Sequence, residues 1–176
     1  MYVVKNNKGK KKNDTSTPIS LCNYIHSLVK HNNYKTILDP CCGDCRLTHN
    51  FKDATIINYE IKDGNDFFEE TKKIICDLCI MNPPFNIGNG KKLSVELFMD
   101  KVIDLCGNIP IIMICPMGFR LNITKRSKRI IKHKNVYPEI SSIISLPTDT
   151  FDDTLFHSEV IMYNVYGVKP HYFADL

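Results

Sequence analysis

The chain lacks any apolar segment long enough to cross a membrane. A membrane-spanning helix needs about 20 consecutive apolar residues, whereas the longest apolar run here, residues 109–117, is short and contains two prolines. The N-terminal sequence MYVVKNNKGKKKND is basic but is not followed by the apolar segment of a secretion signal. We therefore expect an intracellular protein, cytoplasmic or associated with the nucleoid or nucleus, that is neither secreted nor bound to a membrane.

The chain also lacks repeats, Gly/Ser-rich linkers and a strong excess of either charge. Its 176 residues carry a formal net charge of +4 and are 43% hydrophobic, which is typical of an ordinary globular domain. We expect a flexible basic arm at residues 1–14 and a single domain over residues 15–176. The positive charges cluster in residues 5–12 and 125–134. Such runs bind phosphate backbones, or they form a solvated tail and a solvated helix face.

Disulfide and metal frameworks are weakly indicated, although the chain has eight cysteines. Disulfides are rare in proteins without a secretion signal. Cys76-x-x-Cys79 and Cys41-Cys42-x-x-Cys45 look like two halves of a zinc site. However, Cys76 and Cys79 fall in a predicted strand, where residues three apart point to opposite faces. We therefore predict no metal site and interpret the cysteines as free, small hydrophobic residues.

Apolar periodicity predicts strands that alternate with helices. Apolar residues recur at three- and four-residue spacing after Pro18, which predicts a first helix. The remaining predicted elements are helices at 46–51, 92–106 and 124–134, a turn or short helix at 66–71, and strands at 35–39, 54–60, 74–81, 109–115, 140–146 and 159–166. The near-continuous apolar run at 74–81 indicates a strand covered on both faces. This order favours an α/β fold with a mainly parallel sheet and an antiparallel end.

Polar and acidic residues follow the predicted strands, where ligands bind in open α/β sheets. The first such loop, from Asp39 to Cys45, lacks both the Lys-Ser/Thr of a P-loop and the spaced glycines of a dinucleotide fingerprint. Its acid favours a cationic ligand. Glu60 ends the second strand, where an acid is placed to bind a ribose, and Asp66 lies nearby. Together these residues suit a positively charged nucleoside without phosphate, such as S-adenosylmethionine.

The third strand ends in Asn82-Pro83-Pro84-Phe85. A residue that precedes proline is held extended, so Asn82 and Pro83 form a rigid corner. This corner presents the Asn82 side-chain oxygen and backbone carbonyls, which suit an NH2 group with two hydrogens to donate. Phe85 offers a flat surface on which a planar base can stack. The alternative is a double-proline turn with Phe85 in the core.

Three motifs, NPPF, DPCCGDC and the TP pair at residues 17–18, resemble those of amino-group methyltransferases that use S-adenosylmethionine. The closest resemblance is to DNA adenine-N6 methyltransferases, and it covers about residues 15–166. It implies a Rossmann-like class I methyltransferase fold with S-adenosylmethionine as the cofactor. The cofactor-binding residues that it implies are Thr17, Pro18, Asp39, Cys41, Gly43, Glu60 and Asp66. The catalytic corner that it implies consists of Asn82, Pro83, Pro84 and Phe85.

Two features depart from the family pattern. Cys45 stands where the family often has glycine, so the loop is expected to sit differently around the methionine end of the cofactor. Glu60 and Asp66 are closer together than a full helix–strand unit allows. We therefore expect that one such unit is trimmed from the sheet.

The resemblance implies methyl transfer to an exocyclic amine, with adenine N6 in DNA as the favoured target. The expected partners are nucleic acid, DNA more than RNA, and a second copy of the chain or a specificity subunit. Two alternatives stay open: methylation of an RNA base or a protein glutamine, and a catalytically silent subunit that binds nucleic acid or a partner. We expect no separate target-recognition domain within these 176 residues. Specificity is therefore expected to be loose, or to come from residues 147–158, the basic helix or a partner.

Overall fold

The computed structural model describes residues 16–85, 92–151 and 157–176. The helices are α1 (Ile19–Val29), α2 (Ser94–Cys106), α3 (Gly118–Leu121) and α4 (Lys128–Asn135). The strands are β1 (Thr36–Asp39), β2 (Thr55–Asn58), β3 (Leu78–Met81), β4 (Ile111–Pro116), β5 (Ile140–Ser145), β6 (Ser158–Tyr163) and β7 (His171–Phe173). The predicted arm at 1–14 lies outside the described residues, as do residues 152–156 of the candidate specificity loop. Within the described ranges, no helix has the length and apolarity needed to span a bilayer.

The seven strands form one sheet in the order β2-β1-β3-β4-β6-β5-β7. Strands β1 to β4 run parallel to their neighbours in this group. Strand β6 is antiparallel to both β4 and β5, and β7 is parallel to β5. The sheet therefore confirms the predicted α/β class, with a mainly parallel sheet and antiparallel strands towards one end.

Alternate residues of the central strands pack against helices on opposite faces of the sheet. Cys79 and Met81 join the apolar cluster that includes the inner face of α2, whereas Leu78 and Ile80 join the cluster that includes α1. Every residue of β3 is buried. Because side chains alternate along a strand, this burial requires cover on both faces, as the apolar sequence of this segment predicts.

The connection between β2 and β3 confirms the predicted trimming. This fully described stretch contains two 3₁₀ turns, Ile61–Asp63 and Phe67–Glu69, and a single bridge between Glu60 and Asn65. No α-helix and no further sheet strand lies within it. As a result β2 is an edge strand, and Glu60 and Asp66 are joined by one short turn.

Several element boundaries differ from those predicted. Strand β3 begins at Leu78 rather than residue 74, and Ile75 before it is 91% exposed. Helix α4 begins after Ser127, whose Oγ accepts a hydrogen bond from the Ile130 N–H at 3.2 Å. This capping bond sets the helix start. The predicted helix at 46–51 is a 3₁₀ turn at Arg46–Thr48. Elements α3 and β7 were not predicted, because four and three residues are too few to show a periodicity.

Candidate functional site

The carboxyl ends of β1, β2 and β3 lie side by side at one edge of the sheet. Asp39 pairs with Asn58 in the parallel register of β1 and β2, and Leu38 pairs with Cys79 in that of β1 and β3. The loops that follow these strands therefore leave the sheet at the same edge. Ligand-binding loops occupy this edge in open α/β sheets.

Asp39 is buried at the end of β1, with 1% of its surface exposed. Its Oδ1 accepts a hydrogen bond from the Cys41 N–H at 3.2 Å, whereas its Oδ2 is buried without a partner among the described residues. Burial raises the pKa of this carboxyl to about 7; the Cys41 N–H lowers the pKa, and the Glu60 charge raises it further. A buried acceptor without a partner is a candidate ligand contact.

Gly43 exposes its backbone in the loop after β1. Its φ is +54°, and a Cβ placed on it would meet no described atom within 4 Å. Its N–H donates to Glu60 Oε2 at 2.9 Å, and the Lys62 N–H donates to Glu60 Oε1 at 3.0 Å. Glu60 thus fastens the loop to the end of β2. Each of its oxygens retains a second lone pair for a further hydrogen bond.

Asp66 is half-buried at the start of the second 3₁₀ turn after β2. Its Oδ1 accepts a hydrogen bond from the Phe68 N–H at 2.9 Å. The preceding residue, Asn65, bridges to Glu60 through a backbone hydrogen bond of 3.2 Å. The short connection after β2 therefore keeps Asp66 near the carboxyl end of β2, as predicted from the sequence.

Asn82 follows β3 directly and is half-buried. Its Nδ2 donates to Thr17 Oγ1 at 3.0 Å. Burial raises the pKa of the Cys41 thiol well above its ordinary value, and the nearby Asn82 backbone N–H lowers this pKa in part. Asn82 therefore joins the loop after β1 to the segment that precedes α1.

The other three residues of the corner after β3 are buried or half-buried. Pro83 is buried, and Pro84 and Phe85 are half-buried. Phe85 packs against apolar residues of both core clusters. It therefore occupies a position between the two predicted alternatives, with part of the ring in the core and part of the residue accessible.

The TP segment contacts two of the site loops. Ser16 Oγ donates to Asp44 Oδ2 at 2.7 Å, and Thr17 is buried against Asn82. Pro18 is the residue that caps the N-terminus of α1. Ser16 and Asp44 were not predicted as site residues. The sequence could have indicated them, because each is adjacent to a predicted site residue.

A buried ion pair lies at the carboxyl end of β4, at the same edge of the sheet. Glu159 of β6 is 1% exposed and lies opposite Cys115 of β4. Arg120 of α3 donates to it from Nε to Oε1 at 3.1 Å and from Nη2 to Oε2 at 2.9 Å. Sequence reasoning missed this pair, because its members lie 39 positions apart and Glu159 sits within an apolar strand.

Two residues of the predicted basic helix are used in contacts with α2. Arg129 pairs with Glu96 at 3.3 Å, and Lys132 pairs with Glu96 at 3.4 Å and with Asp100. Glu96 is only 5% exposed. The basic surface is therefore narrower than the sequence indicates, and the exposed cations of this segment are Lys125, Arg126, Lys128 and Lys134.

The eight cysteines are free, and no group of three or more His, Cys, Asp or Glu residues suited to a metal ion occurs in the described ranges. Cys76 precedes β3 instead of lying in it, so the argument that strand geometry separates Cys76 from Cys79 is wrong. The neighbouring Cys106 thiol at the end of α2 lowers the pKa of Cys76.

No protein-family model and no curated protein matches the chain. Solved structures do match. One from Listeria monocytogenes, described as a class I S-adenosylmethionine-dependent methyltransferase, is 16% identical and has a TM-score of 0.67, with 96% of this chain and 68% of the other aligned. A type I restriction-modification methyltransferase subunit from Streptococcus thermophilus is 18% identical, with a TM-score of 0.59 over 89% of this chain and 46% of the other.

A third structure, described as an RNA methyltransferase from Pyrococcus horikoshii, is 13% identical, with a TM-score of 0.56 and 91% of both chains aligned. At these identities the likeness concerns the fold. The chain spans less than half the length of the restriction-modification subunit.

Proposed function

Because the chain has a Rossmann-like class I methyltransferase fold, we propose that it binds S-adenosylmethionine and transfers the methyl group to an exocyclic amine, with adenine N6 in DNA as the favoured target. The observation that carries this proposal is the meeting of three motifs at Asn82. Its side chain bonds to Thr17, and its backbone N–H lies close enough to the Cys41 sulfur to lower the pKa of that thiol. The motifs assigned to the cofactor and to the target amine are therefore in direct contact.

The loop after β1 fits the cofactor that the resemblance implies. Asp39 holds a buried oxygen without a partner in the described ranges, and Gly43 leaves open space beside its backbone. In the proposal these two residues and Cys41 line the methionine end. Glu60 accepts hydrogen bonds from the ribose, and Asp66 binds the adenine amino group. Thr17 and Pro18 close the site from the side of α1.

The corner after β3 would bind the target amine. The Asn82 Nδ2 is already engaged by Thr17, so its Oδ1 is the atom left to accept a hydrogen from the amine. The Pro83 carbonyl accepts the second hydrogen. The amides that join Asn82 to Pro83 and Pro83 to Pro84 carry no N–H, so the corner presents acceptors without a competing backbone donor. Phe85, with Pro84 setting its position, stacks on the target base.

The chemistry needs little more than positioning and charge stabilisation. Bound S-adenosylmethionine would supply an electrophilic methyl group on a sulfonium sulfur. The lone pair of an aromatic amine is delocalised into its ring, and two acceptors on its hydrogens favour a tetrahedral nitrogen with a localised lone pair. The Asn82 and Pro83 oxygens also stabilise the positive charge that develops on this nitrogen. A base in duplex DNA must first be flipped out, at a cost of a few kcal/mol.

Nucleic acid is favoured as the substrate by the exposed cations beside α4 and by the basic N-terminal sequence. The Streptococcus thermophilus neighbour, a restriction-modification subunit, supports DNA, and the Pyrococcus horikoshii neighbour supports RNA as the second candidate. In this proposal a second copy of the chain or a specificity subunit supplies sequence recognition.

The proposal is tested by replacing Asn82 with alanine. We expect Asn82→Ala to lower methyl transfer at least about 100-fold while S-adenosylhomocysteine affinity stays within about threefold, because the side chain acts on the target amine. Asn50→Ala is the matched control, since Asn50 is also half-buried with one side-chain hydrogen bond, to Asn23, but precedes β2 at the opposite edge. The assay follows labelled methyl groups into separate DNA, RNA and protein pools.

Each outcome of this assay has a defined meaning. Full activity of Asn82→Ala would show that the mechanism is wrong. Label in RNA or protein instead of DNA would keep the chemistry and replace the substrate. Cofactor binding without label in any pool would identify a catalytically silent subunit.

A further inference from the structure

We propose that Cys42 and Cys45 form an oxidisable dithiol site, which hydrogen peroxide or an organic peroxide converts into a disulfide within the loop after β1. The two sulfurs are in hydrogen-bond contact, with the Sγ atoms 2.8 Å apart. The Cys45 N–H donates to the Cys42 carbonyl at 2.7 Å, which closes the four-residue turn between them. The spacing Cys-x-x-Cys and this turn bring the two thiols together without any movement of a sheet strand.

The backbone of Cys45 provides an independent observation. Cys45 has a φ of +58°, in the left-handed region that favours glycine. A side chain here carries a conformational cost, and the sulfur that it brings makes contact with Cys42. The contact between the two thiols is therefore what the chain gains from a side chain at this unfavourable backbone position.

The surroundings distinguish the two sulfurs. Asn58 Nδ2 donates a hydrogen bond to Cys45 Sγ at 3.6 Å. Burial and the contact with Cys45 raise the pKa of the Cys42 thiol. Cys45 is therefore the sulfur that meets the peroxide, and Cys42 is the one that resolves the product.

The reaction balances with the peroxide as the only oxidant. The Cys45 thiolate attacks one peroxide oxygen, the O–O bond breaks, and hydroxide leaves and takes a proton to become water. Cys42 sulfur then attacks the sulfur of the Cys45 sulfenic acid, the S–O bond breaks, and a second water leaves. Overall, two thiols lose two electrons and two protons, and one hydrogen peroxide becomes two waters.

The other cysteines provide internal comparisons. Cys22, Cys79 and Cys115 are at most 2% exposed. Cys76 and Cys106 are a second pair of neighbouring thiols, but Cys76 is buried. Both members of the Cys42–Cys45 pair are half-buried, whereas the Cys76–Cys106 pair has one buried member, so a small oxidant reaches the loop pair before the other pair.

The experiment oxidises the full chain and maps its thiols. The reduced protein is treated with limiting hydrogen peroxide, alkylated, digested and examined by mass spectrometry. We expect a Cys42–Cys45 disulfide before any Cys76–Cys106 disulfide, with reversal by dithiothreitol. Formation of the Cys76–Cys106 disulfide first, or over-oxidation of Cys45 without a disulfide, would overturn the proposal.

Substitutions at Cys45 and Cys106 separate the two thiol pairs. Cys45→Gly removes the thiol at a position where the backbone already has a glycine-like conformation, and Cys45→Ser keeps a side chain of similar size. Both should lack the loop disulfide and should retain the folded circular dichroism spectrum. Cys106→Ser, which removes the other thiol pair, should form the loop disulfide at the rate of the unmodified chain.

The dithiol lies in the same loop as Asp39 and Gly43. Its relevance to cofactor binding rests on the proposed function. Saturating S-adenosylhomocysteine should slow disulfide formation several-fold, because it covers the loop, and calorimetry on the same sample reports whether it binds. Binding without any loop disulfide in the free protein would refute the dithiol and leave the proposed function intact. A disulfide without binding would refute the proposed function and leave the dithiol intact.

Discussion

At the scale of single residues, Asp39 couples the stability of the molecule to pH. Burial raises its pKa from an ordinary value of 3.8 to about 7 in the folded state. Between these two values the folded state binds more protons at Asp39 than the unfolded state, so the contribution of Asp39 to stability is greatest below about pH 4 and falls as pH rises to about 7. The shift corresponds to a loss on the order of 4 kcal/mol across this window.

Replacing Asp39 with asparagine should therefore stabilise the protein at high pH. We expect Asp39→Asn to match the unmodified chain at pH 4, to unfold at a higher temperature at pH 8, and to bind S-adenosylhomocysteine more weakly. Thermal unfolding at several pH values and calorimetry at pH 8 measure these effects. The control is Asp53→Asn, at an exposed position outside the site. An unchanged pH slope in Asp39→Asn would rule out this account of Asp39.

Three of the predicted site residues share one property. Asp39, Glu60 and Asn82 each stand where an apolar run stops, and such strand ends are visible in a sequence. The Arg120–Glu159 pair is not visible there, because it depends on how α3 packs beside β6 across 39 positions. The structural role of Arg129 was hidden for the same reason. Local patterns show strand ends, whereas pairing between distant elements needs the packed fold.

At the scale of elements, buried ion pairs attach α4 to α2. Glu96 is 5% exposed, and its partners Arg129 and Lys132 expose 16% and 21% of their side chains. Arg129 also donates from Nη1 to the Gly118 and Phe119 carbonyls, both at 3.2 Å. Removing one member of a buried pair leaves the other charge uncompensated, which is strongly destabilising.

Glu96→Gln should therefore destabilise the protein by about 3 kcal/mol, because it leaves Arg129 without a charged partner, whereas Lys132 keeps its pair with Asp100. Urea unfolding measures the change. Lys73→Ala is the matched control, since its pair with Asp104 is 76% and 73% exposed and should contribute less than about 1 kcal/mol. Equal effects of the two variants would contradict the assignment of Glu96 as a structural anchor.

The exposed cations beside α4 should serve a different purpose from Arg129. We expect a triple alanine variant of Lys125, Arg126 and Lys128 to weaken DNA binding and to lower the slope of log affinity against log salt by about 2 to 3 if each cation neutralises one phosphate. Fluorescence anisotropy at several salt concentrations measures both values.

The control for that experiment removes the same charge elsewhere. Lys30, Lys35 and Lys52 are also exposed, but they lie near the amino ends of β1 and β2. A triple alanine variant of these lysines should bind DNA with nearly unchanged salt dependence. If both triple variants lose affinity equally, the binding surface is not beside α4.

At the scale of the whole molecule, the topology was predictable because it follows from the order of strong apolar segments. The shortened spacing between Glu60 and Asp66 predicted the missing helix–strand unit, and the structure has two 3₁₀ turns and one bridge there. Strand β7 was not predictable, since it has only three residues and is defined by its pairing with β5, which requires the folded sheet. Long periodic segments determine the sheet, and short edge elements depend on it.

The site also predicts how the whole molecule responds to a ligand. At 100 times its dissociation constant, S-adenosylhomocysteine should stabilise the fold by about 2.7 kcal/mol, which raises the unfolding temperature by several degrees. Asn82→Ala should retain most of this shift because it spares the cofactor loop, and Asp39→Asn should lose much of it. Differential scanning calorimetry of the three proteins separates two parts of one site. Loss of the shift in Asn82→Ala alone would instead place Asn82 in cofactor binding, and the amine would then need another acceptor.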